Sequence, residues 1–342
     1  MAANPEVSEE MIEQFDRELT ALGLRGHWRG AVREKPAPGS RAQLWKWNDI
    51  YSNLVRSGEL INLDYTGRRT IQLVTPGLDG TSPTIQMSVQ LVLPGEVAAA
   101  HRHMFSATRF IVQGEGAYTT VDGEAVVLSA GDYVTTPSWG WHDHTNPTDI
   151  PMVWLDIHDN PFVGGSLQIR MNEEFPTRAQ PLTQRDGAAL DYMGIVRPAH
   201  RPKQPAHQPA LYRRGEVLAA LERAAEEASD PHDGVVLDYV NPVNGEHLLP
   251  TIGARIQMLR KGEHTQPHRH TSYTIYHVVQ GQGVTVVGEK RLEWGNNDCF
   301  TVPNWDWHTH EQLGDEPAIL FSVHNQPVLE AFDLYREESE EG

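Results

Sequence analysis

The sequence predicts a mainly β protein made of two jelly-roll β-barrels with flanking helices. Three observations carry that expectation. Short apolar runs alternate with turn signals through the middle of each half, as in small barrels. An H-x-H pair, His101 and His103, is followed by His142 behind a run of such strands. The whole pattern then recurs in the second half at a nearly fixed offset.

Taken in order, residues 1–6 read as disordered. Ser8 offers a helix N-cap, Glu9 and Glu10 suit the helix dipole, and Met11, Phe15, Leu19 and Leu22 form one apolar face. Gly23 and Gly26 end that helix. A second helix is expected from Trp45 through Leu54 to Leu60, its aromatics serving core or subunit contact. Ile71–Val74 reads as a strand followed by a Pro-Gly turn, and Met87–Leu93 as the strand leading into the central stretch, Pro94–Asn146. Within it, Phe110–Val112, Ala117–Val121 and Val126–Leu128 are strands, separated by turns at Gln113–Gly116, Val121–Glu124 and Ala130–Asp132. Met152–Ile157 is another strand. Pro198–Pro209, with four prolines, reads as an interdomain linker. Gly215–Ala228 is helical, with Val217, Leu218, Leu221 and Ala224 as its stripe.

The second half repeats the first. Gly262, His268, His270 and Gly281 stand 167 residues after Gly95, His101, His103 and Gly114. Pro303, Trp305, Trp307, His308 and His310 stand 166 after Pro137, Trp139, Trp141, His142 and His144. From Pro327 a short amphipathic helix (Leu329, Phe332, Tyr335) leads into an acidic tail. The expected division is 1–65, an N-terminal helical segment; 66–170, the first and catalytic barrel; 171–235, linker and helix; 236–327, the second barrel; and 328–342, helix and tail.

Composition narrows the partners. Lys and Arg total 28 against 46 Asp and Glu, a formal charge of −18, which argues against nucleic acid and anionic membranes. An anionic substrate must therefore be drawn in by local cations. No apolar run reaches transmembrane length, and the start Met1-Ala-Ala-Asn-Pro lacks the basic and apolar regions of a secretion signal. The single cysteine, Cys299, lies in an apolar run and reads as a buried inert thiol in a reducing compartment. A cytoplasmic location is the expectation.

Alternate residues of a strand share a face, so His101 and His103 project into one space, and a returning strand brings His142. Three inward imidazoles without a thiolate suit an Fe, Mn, Ni or Zn centre with positions left open.

This spacing resembles the cupin family, and the chain is similar to a bicupin. Gly95, His101, His103 and Gly114 fit the first cupin motif, with Ala107 where its glutamate stands; Gly131, Pro137, His142 and Asn146 fit the second, with Trp139 in place of its internal glycine. Within the cupins, HRH–S-A-x-R-F and PSW-x-WHDH resemble gentisate 1,2-dioxygenase and its ring-cleaving salicylate relatives, from about Leu44 to Leu329 and most closely over 76–156. The resemblance implies Fe(II) on His101, His103 and His142, an extradiol-type ring-cleavage dioxygenase, and a homo-oligomer, a tetramer. It implies an aromatic hydroxy acid bound with O₂ and opened between its carboxyl- and hydroxyl-bearing carbons, gentisate giving maleylpyruvate. His144 is the implied base for the phenolic proton, Asp156 an acidic residue near the site, and Arg68 or Arg69 a partner for the substrate carboxylate. Gln90, Ser88, Gln86 and Trp139 are implied on the substrate side. Gln86, Met104-Phe105 and Ile157-His158 depart from the family's residues around the ring pocket, which leaves a substituted salicylate or 1-hydroxy-2-naphthoate as the alternative substrate.

Both halves keep three histidines, so His268, His270 and His308 could hold a second metal. The flanks differ. Arg109, a natural bidentate partner for a carboxylate, becomes Tyr276; Asn146 becomes Gln312; Gly131 becomes Asn297. Arg109 shares odd parity with His101 and His103, which predicts that it faces inward and that catalysis belongs to the first barrel. Ala107 speaks against an isomerase cupin, which wants the motif glutamate. A non-catalytic metal-binding bicupin would not need Arg109 and His144 beside an intact trio.

Overall fold

Residues with a two-residue apolar period become strands almost throughout. The computed structural model describes residues 8–25, 28, 41–183, 210–227 and 229–340. The expectations for 1–6, Gly26 and the Pro198–Pro209 linker lie outside these residues. The helix Glu9–Ala21 forms a unit of its own: Ser8 Oγ accepts from the Met11 amide at 3.3 Å, and Gly23 turns left-handed at φ 70° to close it.

Strands of the first half are β1 (Leu44–Trp45), β2 (Thr70–Gln72), β3 (Gln86–Val92), β4 (Val97–His103), β5 (Ala107–Gln113), β6 (Glu115–Val121), β7 (Glu124–Ser129), β8 (Tyr133–Thr136), β9 (His142–Thr145), β10 (Met152–His158), β11 (Asn172–Glu174) and β12 (Leu211–Tyr212). Those of the second are β13 (Val235–Asp238), β14 (Gly253–Leu259), β15 (His268–His270), β16 (Thr274–Gln280), β17 (Gly283–Val287), β18 (Lys290–Trp294), β19 (Cys299–Val302), β20 (His308–Gln312), β21 (Ala318–His324) and β22 (Glu337–Ser339). The first barrel joins the sheets β12-β8-β5-β10-β3-β2 and β11-β4-β9-β6-β7; the second joins β1-β19-β16-β21-β14-β13 and β18-β17-β20-β15-β22. The repeat in the sequence is thus a repeat of two-sheet jelly rolls.

Each barrel takes an edge strand from far along the chain. β1 pairs with β19 of the second barrel, and β12 pairs with β8 of the first. Trp45 therefore lies in a strand, and the helix starts only at Trp47, running to Leu60. The reason is tertiary: Asp298 of the second barrel accepts the Trp47 amide at 2.7 Å, a cap that Lys46 does not provide. At the other end, the helix Gln326–Ala331 stops before Phe332 and Tyr335, and part of the acidic tail becomes β22, paired with β15. Among the described residues no helix is long and apolar enough to cross a membrane.

The larger core lies between the barrels. Phe110 of β5 stacks on Phe321 of β21 at 4.4 Å, Tyr133 and Tyr239 pack around them, and Ile50 and Leu54 of the Trp47–Leu60 helix join the same cluster. Each such fully buried apolar side chain contributes about 1.5–3 kcal/mol. Because Phe110 points into this core, its neighbour Arg109 must point the other way, into the first barrel.

Candidate metal centre

β4 runs antiparallel to β9 with His101 opposite His142. Strand alternation turns His101 and His103 inward and Arg102 outward. The ligand atoms of His101, His103 and His142 lie within 4.8 Å of one another. Each ring is aimed by a carbonyl two residues away. His101 Nδ1 donates to Ala99 O at 2.7 Å, His103 Nδ1 to Phe105 O at 2.7 Å, and His142 Nδ1 to Gly140 O at 3.0 Å. That tautomer leaves three Nε2 lone pairs converging on one point, and His142 Nε2 is buried without a hydrogen-bond partner.

Burial, with Arg68 next, pulls the His101 pKa down to about 4. Burial, with His101 next, takes His103 to about 2, and burial holds His142 well below its usual value. All three rings are neutral at neutral pH, the form a metal requires. The donor set and the orphaned nitrogen both fit a dication.

Arg109 lies on the inner wall beside this cage, with 3 % of its surface exposed. On β10 its cross-strand neighbour is Asp156, whose own neighbour on β3 is Ser88. Arg109 Nε sits 3.3 Å from Asp156 Oδ1, an ion pair without hydrogen-bond alignment, and Nη1 donates to Thr136 Oγ1 at 2.9 Å. Burial lowers the guanidinium's pKa, and Asp156 pulls it back up. Gln90 is buried one step along the same face of β3. His144 follows His142 on the inner face of β9, hydrogen-bonded through Nδ1 to Thr119 Oγ1 at 2.8 Å. Burial first, then Arg109, keeps it far below its usual pKa.

Of the adjacent arginines, only Arg68 reaches the cage: from an exposed position its Nη2 donates to His101 Nε2. Arg69 turns the other way. It is buried, its fork taken by Glu96 at 2.7 and 2.8 Å and by the Ile61 carbonyl, so it ties the β3–β4 turn to a helix end. Gln86 is also engaged elsewhere. Its amide donates to Met87 O at 2.7 Å and Thr81 Oγ1 at 3.0 Å and anchors the 73–87 loop. Trp139 does not line the cage either. Its ring lies 4.4 Å from the outward Arg102 guanidinium, which Trp141 and Glu173 also hold. Trp139 has φ 66°, the left-handed conformation that explains why related motifs place glycine there.

The parity argument for Arg109 reached the right face by the wrong route. His101 and His103 sit in one sheet and Arg109 in the other, joined by a corner at 104–106 that breaks the alternation. Sequence reasoning missed Thr119 and Thr136. The repeat carried a signal for Thr119, since Thr285 holds His310 Nδ1 at the same 2.8 Å. His158, one of the departures around the expected ring pocket, lies near Phe105 with ring centroids 5.0 Å apart and has its pKa lowered by burial to about 4. A cavity of about 460 Å³ opens beside Gln86 and His158 but touches none of the three cage histidines.

The second barrel builds its own cage from His268, His270 and His308, again within 4.8 Å. His270 Nδ1 bonds Ser272 O at 2.9 Å, His308 Nδ1 lies 3.1 Å from Asp306 O, and His308 Nε2 is buried and unpaired.

The cupin domain model matches residues 88–158 and 255–324. The chain is 38% identical to a 5-aminosalicylate 1,2-dioxygenase of a Comamonas species, over 98% of this chain and 92% of that enzyme. It is 36% identical to gentisate 1,2 dioxygenase 1 of Aquipseudomonas alcaligenes, over 97% of each. Among solved structures, a salicylate 1,2-dioxygenase from Pseudoaminobacter salicylatoxidans, determined as adducts with gentisate, superposes with a TM-score of 0.90 at 27% identity, covering 100% of this chain and 97% of that one.

Proposed function

The chain belongs to the cupin-domain family of aromatic ring-cleaving 1,2-dioxygenases, and we propose that its first barrel opens a 2-hydroxybenzoate with O₂, converting gentisate to maleylpyruvate. The observation that carries this reading is a neutral three-histidine cage flanked by two guanidiniums, Arg68 at its mouth and Arg109 on its wall. Asp156 offsets only one of the two guanidiniums, which leaves room for a further anion in a chain whose overall charge is −18.

His101, His103 and His142 would hold the metal, which we assign as iron(II). When bound, it supplies positive charge and the electron transfer that makes O₂ reactive toward a deprotonated phenol. The chain's residues do the rest. Asp156 and Thr136 fix the Arg109 guanidinium, whose remaining N–H groups meet the substrate carboxylate. Arg68 occupies the lone pair that a metal would use, so it must leave His101 and is then free to add a second cation for the same carboxylate. His144 receives the phenolic proton at Nε2, its Nδ1–H being given to Thr119. Burial keeps that ring neutral, with Arg109 and Arg68 adding to the effect. An arriving carboxylate offsets both cations, so substrate entry raises the proton affinity of its own base. Ser88 and Gln90 form the polar wall beside Asp156.

A second reading, a 5-substituted salicylate other than gentisate, is supported by the relative named for 5-aminosalicylate. A 5-amino and a 5-hydroxyl group both donate electrons para to the 2-hydroxyl, so one site could serve either. The test is O₂ uptake by the iron-loaded chain with gentisate, 5-aminosalicylate, salicylate and 1-hydroxy-2-naphthoate in parallel. Gentisate should give the highest kcat/KM. A higher value for another acid would move the substrate assignment, and no uptake with any would overturn ring cleavage.

A further inference from the structure

The edge strands β2 and β13 occupy the same place in their barrels. Gln72 pairs with Ser88 on β3, and Asp238 pairs with Arg255 on β14, 166 and 167 residues further on. Counting back, Arg68 corresponds to Gly234 and Gly67 to Asp233. In the first barrel this spot puts a guanidinium on His101 Nε2. In the second it puts a carboxylate there: Asp233 Oδ1 lies 3.9 Å from His268 Nε2. The charge facing the leading histidine is reversed.

The turn that carries Asp233 is built. Its amide bonds Asp230 Oδ1 at 3.0 Å, and its carbonyl accepts from Gln257 Nε2 of β14 at 2.6 Å. Gln266, two residues before His268, donates its amide to Pro231 O at 2.7 Å. Gly234 has φ 72°, and a Cβ there would meet Met258 O at 2.9 Å, so the close approach requires glycine.

We propose that the second barrel binds a divalent transition metal through His268, His270 and His308, with Asp233 as a fourth protein ligand. Two donors each about 2 Å from a shared ion lie about 3–4 Å apart, a spacing that Asp233 Oδ1 approaches toward His268 Nε2 alone. It lies outside the 4.8 Å cluster of the three histidine nitrogens, and its carboxylate must turn inward to join them. Buried His308 Nε2, without a partner, points to the same ligand independently. Three imidazoles and a carboxylate suit zinc, manganese or iron and leave the ion less charged and less open than the first cage does. The cage is closed on its inner side as well. Tyr276, in place of Arg109, stacks on Phe300 at 4.7 Å. Arg255, in place of Ser88, is taken by Asp238 at 2.9 Å and Gln326 at 3.1 Å.

The test uses the full chain, stripped of metal and reloaded with Co²⁺. His142→Ala disables the first cage, so this variant should retain about one Co²⁺ per chain after desalting, against about two for the unaltered chain. Its Co²⁺ should show the intense visible bands of a four-coordinate ion. Adding Asp233→Asn should weaken retention against a competing chelator by about 10–100-fold and change those bands, and Asp233→Glu should restore part of the affinity. Should His142→Ala not fold, chelator competition on the chain with both cages is expected to run in two phases, of which Asp233→Asn moves one. No Co²⁺ in folded His142→Ala, or a single phase, would overturn the second site. Unchanged affinity and bands in Asp233→Asn would remove Asp233 from it.

Discussion

In the first barrel, the row of inward residues beside the histidine cage reads Ser88, Asp156, Arg109, Val134 across four strands. In the second, the same row reads Arg255, Ser322, Tyr276, Phe300. The cages themselves are near copies, and two of the three Nδ1–carbonyl bonds that orient them recur. His101 Nδ1 bonds the Ala99 carbonyl, whereas His268 Nδ1 is buried without a partner. What changes is the wall. A small aliphatic and a half-satisfied guanidinium leave polar capacity for a ligand, whereas two stacked aromatics, with Trp294 behind them, fill the equivalent level. The repeat keeps the geometry of the histidine cages, and a handful of wall positions separate a chamber with polar capacity from one filled by aromatic rings. Metal-ligand spacing alone therefore does not distinguish the two halves; their walls do.

The sharpest way to break this contrast is to remove a histidine from each cage. His101→Ala should abolish ring cleavage and first-site metal together. His268→Ala should leave turnover per first-site iron within about threefold, provided the chain stays folded. O₂ uptake normalised to iron content reads both, and a dead, folded His268→Ala would place part of the chemistry in the second barrel.

Next in size is the wall itself. Arg109→Lys keeps the charge but loses the fork, and kcat/KM should fall about 10- to 150-fold, or roughly 1.5–3 kcal/mol. Arg109→Tyr, which writes the second barrel's residue into the first, should fall further. An unchanged specificity constant in the lysine variant would return Arg109 to a structural role.

The two neighbouring arginines should separate by assay. Arg68→Gln is expected to raise KM about tenfold with little change in melting temperature. Arg69→Gln strands Glu96 in a half-buried ion pair, and should cost about 3 kcal/mol of stability while leaving KM alone. Thermal unfolding and steady-state kinetics on both variants give four numbers; the reverse pattern would exchange their assignments.

The smallest effect should be equal in the two halves. Arg102 lies over Trp139 and Trp141 and pairs with Glu173, and Arg269 lies over Trp305 and Trp307 and pairs with Glu338. Arg102→Gln and Arg269→Gln should each cost about 1 kcal/mol in thermal unfolding. A cost confined to one of them would show that the duplicated clamp matters in a single barrel.

Much of the site was legible because it is punctuated. H-x-H on a strand and its repetition with glycine and proline at matching offsets identify both cages from the sequence. The losses were tertiary. Which of Arg68 and Arg69 turns inward depends on Glu96, 27 residues on, whose carboxylate captures one of them. Trp139 was placed by a motif position, yet its ring goes where Arg102 offers a cation. Gln86 looked free until a loop 5 to 13 residues before it used its amide. Asp233 lies outside the repeated histidine motif altogether, and only the left-handed turn at Gly234 brings it to His268.

The exchanged edge strands bear on how the chain is made. Leu44 pairs with Phe300, a separation of 256 residues, while β8 waits for β12 near residue 211. During synthesis, the first barrel is completed only after the connecting segment has emerged, and β1 stays without its partner until most of the second barrel has followed. Neither half is a finished object when released alone. Loop-closure entropy makes such distant pairings slow, and the waiting edge is exposed meanwhile. A chain truncated at about residue 180 should therefore be recovered as aggregate, with a soluble folded half-chain as the contrary result. The two barrels are two in architecture, but in the order of assembly they are one.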